Sequence, residues 1–276
     1  MRLNFITNDY LLTWNLLYGS SFSEAVHNFK QKLYLSHRKQ YKSISKDKKE
    51  MLEDIKNFIP DNDTLYNLVF ESKIFNNLKE DSEKHRLELL KIWDQYKKEF
   101  NKNIKDIIRL PLQEEYTVVV LHPIMDSALT LKKSTTIGWG QKRDLKNPIL
   151  TITNIIYYFV KDAIGTFEKE YKEIVDVILE LALHNELYTR ISGTSTYLKG
   201  EETLTFLKRQ IYPYWLMYLG CEKEDFPRYM MRDGIPFEID GYQVDKNMKK
   251  MNLIEFIEFC IRNQKSIIRI NHLEIK

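Results

Sequence analysis

Three polar residues whose side chains can bind metals or carry protons stand four residues apart in an apolar stretch, residues 174–190. Asp176, Glu180 and His184 would form one column on a helix, because residues four apart lie one above the other. The run from Ile174 to Leu183 is otherwise apolar, which is typical of a buried helix. Buried carboxylates are rare unless they are paired. The column therefore predicts either a structural network with partners on neighbouring helices, or a cleft site that binds a metal or a substrate amine.

A second acid–base pair, Glu186 and Arg190, follows on the same predicted helix. Its four-residue spacing also fits an ordinary helix ion pair, worth about 0.3–0.5 kcal/mol when exposed. The column itself is about 12 Å long from Asp176 to His184, so these residues cannot all bind one ion. A metal would need an adjacent pair of them and further ligands from elsewhere, such as His122.

The elements that must position these residues are predicted to be mostly helices, since glycine (9) and proline (7) are scarce. Hydrophobic periodicity and capping residues predict these helices: 22–42, 45–60, 65–75, 80–108, 148–167, 171–191, 204–219 and 252–263. Strands are expected at 116–121 and 135–140, a hairpin around Asp240-Gly241, and a break or kink at Pro213. We therefore expect an α+β protein, mostly α-helical with a small β-sheet, in which residues 1–108 form a helical N-terminal region and residues 109–276 an α+β region.

The order of elements in residues 116–193 resembles the core of the gluzincin zinc metallopeptidases. An apolar strand, a strand ending in Gly138-Trp139-Gly140, a helix, and a second helix carrying Asn185-Glu186 follow one another. In that family the first helix carries HExxH, whose histidines bind zinc and whose glutamate activates water, and the glutamate of the later Asn-Glu pair is the third zinc ligand. The resemblance implies a zincin-like C-terminal part.

The HExxH motif itself is absent, because residues 149–167 contain no histidine. Arg190 also stands where the family often has an aspartate. The resemblance therefore implies a degenerate active site, at which zinc is not expected. The leading hypothesis is a peptide-binding or peptide-processing protein on this scaffold. One alternative is an active metal-dependent hydrolase that uses Glu180, His184 and Glu186, and another is a structural interaction module.

Gly138, Trp139 and Gly140 are the candidate ligand-binding residues. Glycine on either side of the indole would allow another backbone to approach, so an extended peptide could add to this strand if the strand lies at the edge of the sheet. The alternative is a tryptophan buried in the core.

Composition and charge limit the kinds of partner that are expected. A net charge of only +3 does not indicate a dedicated nucleic-acid binder. Residues 30–49 hold eight Lys or Arg, which could dock an acidic peptide or RNA, although a solvated helical face is the simpler interpretation. No apolar run reaches the length of a membrane span, so no membrane partner is expected. Two cysteines without zinc-type spacing favour the cytoplasm, and polar residues interrupt the N-terminus too often for a signal peptide.

Overall fold

The structure of the protein is a computed structural model, which describes residues 1–19, 23–122, 129–130, 136–139, 147–194, 202–239 and 242–268. The chain forms two compact units, each built from two stretches. Unit 1 comprises Met1–Gln95 and Gln113–Phe159, and unit 2 comprises Tyr96–Leu112 and Val160–Lys276. The predicted α+β class, mostly helical with a small sheet, is confirmed. The division into regions 1–108 and 109–276 stays a prediction.

Unit 1 contains a four-stranded sheet in the order β1-β2-β4-β3. The strands are β1 (Arg2–Ile6), β2 (Glu115–Val120), β3 (Leu129–Thr130) and β4 (Thr136–Trp139). The strands β1, β2 and β4 are parallel, and β3 pairs antiparallel with β4. The two predicted strands are confirmed as β2 and β4, whereas the sequence did not reveal β1 or β3.

The helices of unit 1 enclose an aromatic-rich core. They are α1 (Asp9–Tyr18), α2 (Glu24–Ser36), α3 (Arg38–Glu53), α4 (Thr64–Phe70) and the first part of α5 (Lys73–Ile108). The predicted boundary between residues 42 and 45 is wrong, because the chain leaves helical geometry at His37 (φ −133°, ψ 40°) and α3 continues past Ser45. The break at His37 allows Leu33 before it and Tyr41 after it to be buried in the same cluster.

The helix α6 (Pro148–Ala163) follows the sheet and begins with proline, whose missing N–H costs nothing in a first turn. The Phe159 ring lies 4.2 Å from the Tyr116 ring of β2. The helix ends before the predicted residue 167, since Gly165 adopts a positive φ of 79°.

Unit 2 is helical in its described residues. Its elements after α6 are α7 (Lys172–Leu179), a π-helical segment (Glu180–Leu187), α8 (Tyr188–Ser192), α9 (Thr205–Leu219), α10 (Phe226–Asp233), α11 (Leu253–Arg262) and α12 (Gln264–Ile267). The first three form the predicted site helix without interruption. The helix α11 begins with the predicted capping box, in which Asn252 and Glu255 each accept the other's backbone N–H.

Two expectations for unit 2 differ from the structure. The expected break at Pro213 is wrong, since α9 continues through this residue, with Tyr212 and Trp215 on either side fully buried, whereas a kink there stays a prediction. No hairpin strands form in residues 235–239 and 242–247; Asp240 and Gly241 lie outside the described residues. In the part of the chain that the structure describes, no helix combines the length and the apolarity required to cross a membrane.

Candidate functional site

The helix that carries the predicted site residues changes its winding at Glu180. Through the π-helical segment, backbone N–H groups bond to carbonyls five residues back instead of four. Residues five apart therefore face the same neighbour here. Wide turns of this kind often occur at functional sites, and this one contains Glu180, His184, Asn185 and Glu186.

Glu180 is ion-paired with Lys208 of α9. The Lys208 ammonium donates to the Glu180 carboxylate and lies 3.4 Å from the Asn185 side-chain oxygen. Glu180 and Asn185 are five residues apart, so the π winding brings both toward one cation. Glu180 is 6% exposed and Lys208 7%, which makes this a buried ion pair.

His184 lies on the same segment and is electrically neutral at neutral pH. Burial, and secondarily the positive charge of Lys208, lower the pKa of its imidazole to about 4. A neutral imidazole is the form that binds metals or accepts protons. Its chemistry therefore depends on which groups reach it, and Lys208 is the charged group that influences it most.

Glu186 is held by two arginines. Its carboxylate is 2% exposed, and one oxygen accepts from Arg190 Nε at 2.7 Å while the other accepts from Arg232 Nη2 at 2.9 Å. Arg190 belongs to α8 and Arg232 to α10. Both carboxylate oxygens are thus engaged by guanidinium groups, which are the strongest partners that a side chain can offer to a carboxylate.

Arg232 extends this network to a second acid, Asp233. The Arg232 guanidinium donates to both Asp233 oxygens, one of them at 3.0 Å, and the Tyr212 hydroxyl donates to the same carboxylate. Burial raises the pKa of Asp233, although the bonds from Arg232 and Tyr212 oppose that rise. The Arg232 guanidinium also lies 4.7 Å from the centre of the Tyr229 ring. Glu186, Asp233 and the two arginines form a compact network of alternating charge.

Three of the predicted site residues therefore fall into two networks within unit 2. Glu180 belongs with Lys208, and Glu186 and Arg190 belong with Arg232. Asp176 lies apart from both, where Lys172 contacts its carboxylate at 2.7 Å and Lys161 at 3.4 Å. The predicted column is lost because the four-residue repeat holds only as far as Glu180.

The strand that carries the predicted ligand-binding residues, β4, has a neighbouring strand on each side. Strand β4 is not an edge strand at residues 137–138, because Gly138 pairs with Val119 on one side and with Leu129 on the other. Trp139 is 0% exposed and packs against Tyr158, with ring centres 6.2 Å apart, as expected for the alternative of a core tryptophan. Gly140 lies outside the described residues.

Metal ligands do not converge in the described residues, where no three His, Cys, Asp or Glu side chains are placed to share an ion. His122, considered as an additional ligand, belongs to unit 1 and lies 3.6 Å from the Asp81 carboxylate. At Glu180 and Glu186, lysine and arginine side chains lie where a cation would be bound.

Sequence reasoning missed the other members of these two networks: the cations Lys208 and Arg232, the acid Asp233 and the hydroxyl of Tyr212. The signal for two of them was present. Lys208 and Tyr212 are four residues apart on α9, so a cation and a hydroxyl occupy the same side of a helix that is mostly buried. A lysine on such a helix is rarely buried unless an acidic side chain forms an ion pair with it.

Unit 2 also has an open cleft of about 350 Å³ away from these networks. Phe167, Tyr171 and Ile261 provide its apolar lining, while Glu168, Glu258 and Arg262 supply charge. Glu168 precedes α7, and Glu258 and Arg262 lie one turn apart on α11. The cleft could receive an apolar side chain together with a charged neighbour.

Comparisons with models of known families, with curated proteins and with solved structures found no match to this chain.

Proposed function

We propose that this protein binds a peptide or protein ligand without hydrolysing it, on a scaffold that resembles a zinc metallopeptidase with a degenerate site. The observation that carries the proposal is the neutralisation of both predicted site acids. Glu180 is paired with Lys208, and Glu186 with Arg190 and Arg232. These ion pairs place a protein cation beside each carboxylate, where a metal ion would have to bind.

Metal-assisted hydrolysis requires an ion with an open coordination position and a carboxylate that activates its water. A divalent ion at Glu186 would stand beside two guanidinium groups, which remain charged at all accessible pH values. Binding would then require either repulsion at close range or the displacement of both arginines. A site of this composition favours a structural role for the acids.

The cleft of unit 2 is the proposed ligand-binding site. Its apolar lining suits one apolar side chain of a peptide, and its two carboxylates, Glu168 and Glu258, outnumber its one cation, Arg262. Charge complementarity therefore favours a peptide in which a Lys or Arg adjoins the apolar residue. We also assign the protein to a reducing compartment such as the cytoplasm, since Cys221 and Cys260 are buried thiols.

Hydrolysis is tested with a broad peptide library, with and without added zinc, together with metal analysis of the purified protein. We expect no zinc-dependent cleavage. Stoichiometric zinc, or cleavage that the Glu186→Gln variant loses while remaining folded, would overturn the proposal in favour of an active metal-dependent hydrolase.

Ligand binding is tested by probing an array of peptides that pair an apolar residue with Lys or Arg. A positive peptide is then titrated against Phe167→Ser, in the cleft, and Phe206→Ser, which is 50% exposed elsewhere in unit 2. We expect at least a tenfold loss of affinity in the first variant and little change in the second. If the array binds no peptide, or if both variants lose affinity equally, the proposed ligand-binding site is contradicted.

A further inference from the structure

A row of basic side chains runs along one side of α3 in unit 1. Arg38, Lys39, Lys42, Lys46 and Lys49 are all exposed. At 3.6 residues per turn they fall within an arc of about 100° and extend about 16 Å along the helix axis. We call these five residues the basic stripe.

The charge of the basic stripe is not balanced locally. None of its five residues forms an ion pair with a carboxylate of the described residues. Asp47, on the same helix, faces away and accepts a hydrogen bond from the Tyr66 hydroxyl at 3.0 Å. Glu50 is exposed beside the stripe and offsets one charge at most. The whole chain has a net charge of only +3, so this positive surface is a local concentration and not a general property.

We propose that the basic stripe binds the phosphodiester backbone of a nucleic acid. Along one strand of a duplex, phosphates succeed one another every ~3.4 Å of axis, so the length of the stripe corresponds to about five phosphates. Lysine and arginine supply such contacts without reading base sequence. The number and extent of the cations thus match a regularly charged polyanion.

The surroundings of α3 disfavour a membrane and an acidic peptide as the ligand. An interfacial helix must insert an apolar face, but Tyr41, Ile44 and Met51 of α3 are buried in the protein core. A peptide complex generally depends on apolar or aromatic anchors, and the stripe contains no apolar side chain.

An aromatic side chain adjoins the first cation of the stripe. Tyr34 of α2 is 37% exposed, and the Arg38 guanidinium lies 5.6 Å from the centre of its ring. Proteins that bind single strands combine cations with aromatic rings on which bases stack. This neighbour gives an unpaired base a partial stacking surface, so single strands are included in the test beside duplexes.

Fluorescence anisotropy with a labelled oligouridylate and a labelled mixed-sequence duplex tests the proposal over a series of salt concentrations. Five contacts predict a slope of log K against log [salt] of about −3.5 for the single strand and −4.5 for the duplex. The triple variant Lys42→Glu/Lys46→Glu/Lys49→Glu should bind at least tenfold more weakly at low salt, and its slope should be less negative by about 2–3.

The matched control is Lys98→Glu/Lys102→Glu/Lys105→Glu on α5. These three lysines are exposed and have the same spacing in sequence, so both variants change the net charge equally. The control should retain wild-type binding, with thermal melts confirming that both variants are folded. Stronger binding of either oligonucleotide identifies the form of nucleic acid.

Three results would overturn the inference: no salt-dependent binding by the wild type, equal losses in both triple variants, or binding of polyglutamate or anionic phosphatidylserine vesicles in place of the oligonucleotides.

Discussion

Replacing Glu180 by leucine removes the charged partner of a buried lysine. In Glu180→Leu, Lys208 would remain 7% exposed and keep only Asn185, 3.4 Å away, as a described acceptor. Breaking a buried ion pair from one side costs about 3–5 kcal/mol of unfolding free energy, because the remaining charge is not compensated. At about 2–4 °C per kcal/mol, the melting temperature should fall by roughly 6–20 °C.

Two further variants separate the lost charge from the lost volume. In Glu180→Gln an amide oxygen can still accept from Lys208, so the cost should be smaller, about 1–3 kcal/mol. In the double variant Glu180→Leu/Lys208→Met both charges are gone, and stability should return to the wild-type level or exceed it by about 1–4 kcal/mol. The order of stability among these variants is therefore the quantity to measure.

The assay is urea and thermal unfolding followed by circular dichroism at neutral pH. Glu80→Leu provides the control, since the Glu80–Lys84 pair on α5 is solvent-exposed and contributes little to stability. If Glu180→Leu costs no more than Glu80→Leu, or if the double variant is as unstable as the single one, the assignment of a buried ion pair is refuted.

Three other changes have definite expected outcomes. Glu186→Gln should lower the unfolding free energy by about 1.5–3 kcal/mol in urea titrations, because both arginines lose a charged acceptor. His85 is 2% exposed, and burial lowers its pKa to about 4, so the unfolded chain binds more protons between pH 6.5 and 4 and stability falls as the pH drops through that window. His85→Leu should flatten this part of the stability–pH curve, measured by urea unfolding at successive pH values. Asn252→Ala should cost about 0.5–2 kcal/mol in thermal unfolding, because the N-terminus of α11 loses its cap.

Each of these outcomes has a clear contrary result. A Glu186→Gln variant as stable as the wild type would mean that the two guanidinium contacts do not persist in solution. An unchanged pH dependence in His85→Leu would mean that His85 titrates normally. If Glu255→Ala destabilises the protein but Asn252→Ala does not, the capping box has only one effective member.

Local signals allowed part of the fold to be predicted from the sequence. The long helix α5 was evident from apolar residues at three- and four-residue steps, and α11 from the spacing of Asn252 and Glu255. Strand β2 was evident from a run of β-branched residues bounded by a His-Pro pair. In each case residues close in sequence determine the element.

Other elements depend on partners that are distant in sequence. Strand β1 has only five residues and pairs with β2, where Arg2 contacts Glu115 113 residues later. The π winding of the site helix leaves no mark in hydrophobic periodicity, since seven of the eight residues of the π-helical segment are buried, polar and apolar alike. The pairing of Glu180 with Lys208 was foreseen only as a general need for a partner, because a sequence does not specify which helix supplies it.

The π-helical segment has a consequence for how this chain would be aligned with its relatives. A segment wound with five-residue hydrogen bonds can arise from an ordinary helix by insertion of one residue, and removal of one residue, for example Ala182, would restore regular winding. In the regular winding that results, Glu180 and Asn185 would be four residues apart and would still lie on one face of the helix, so both would keep their approach to Lys208. A relative that lacks the inserted residue should therefore show a one-residue gap here and still carry a cation at the position of Lys208.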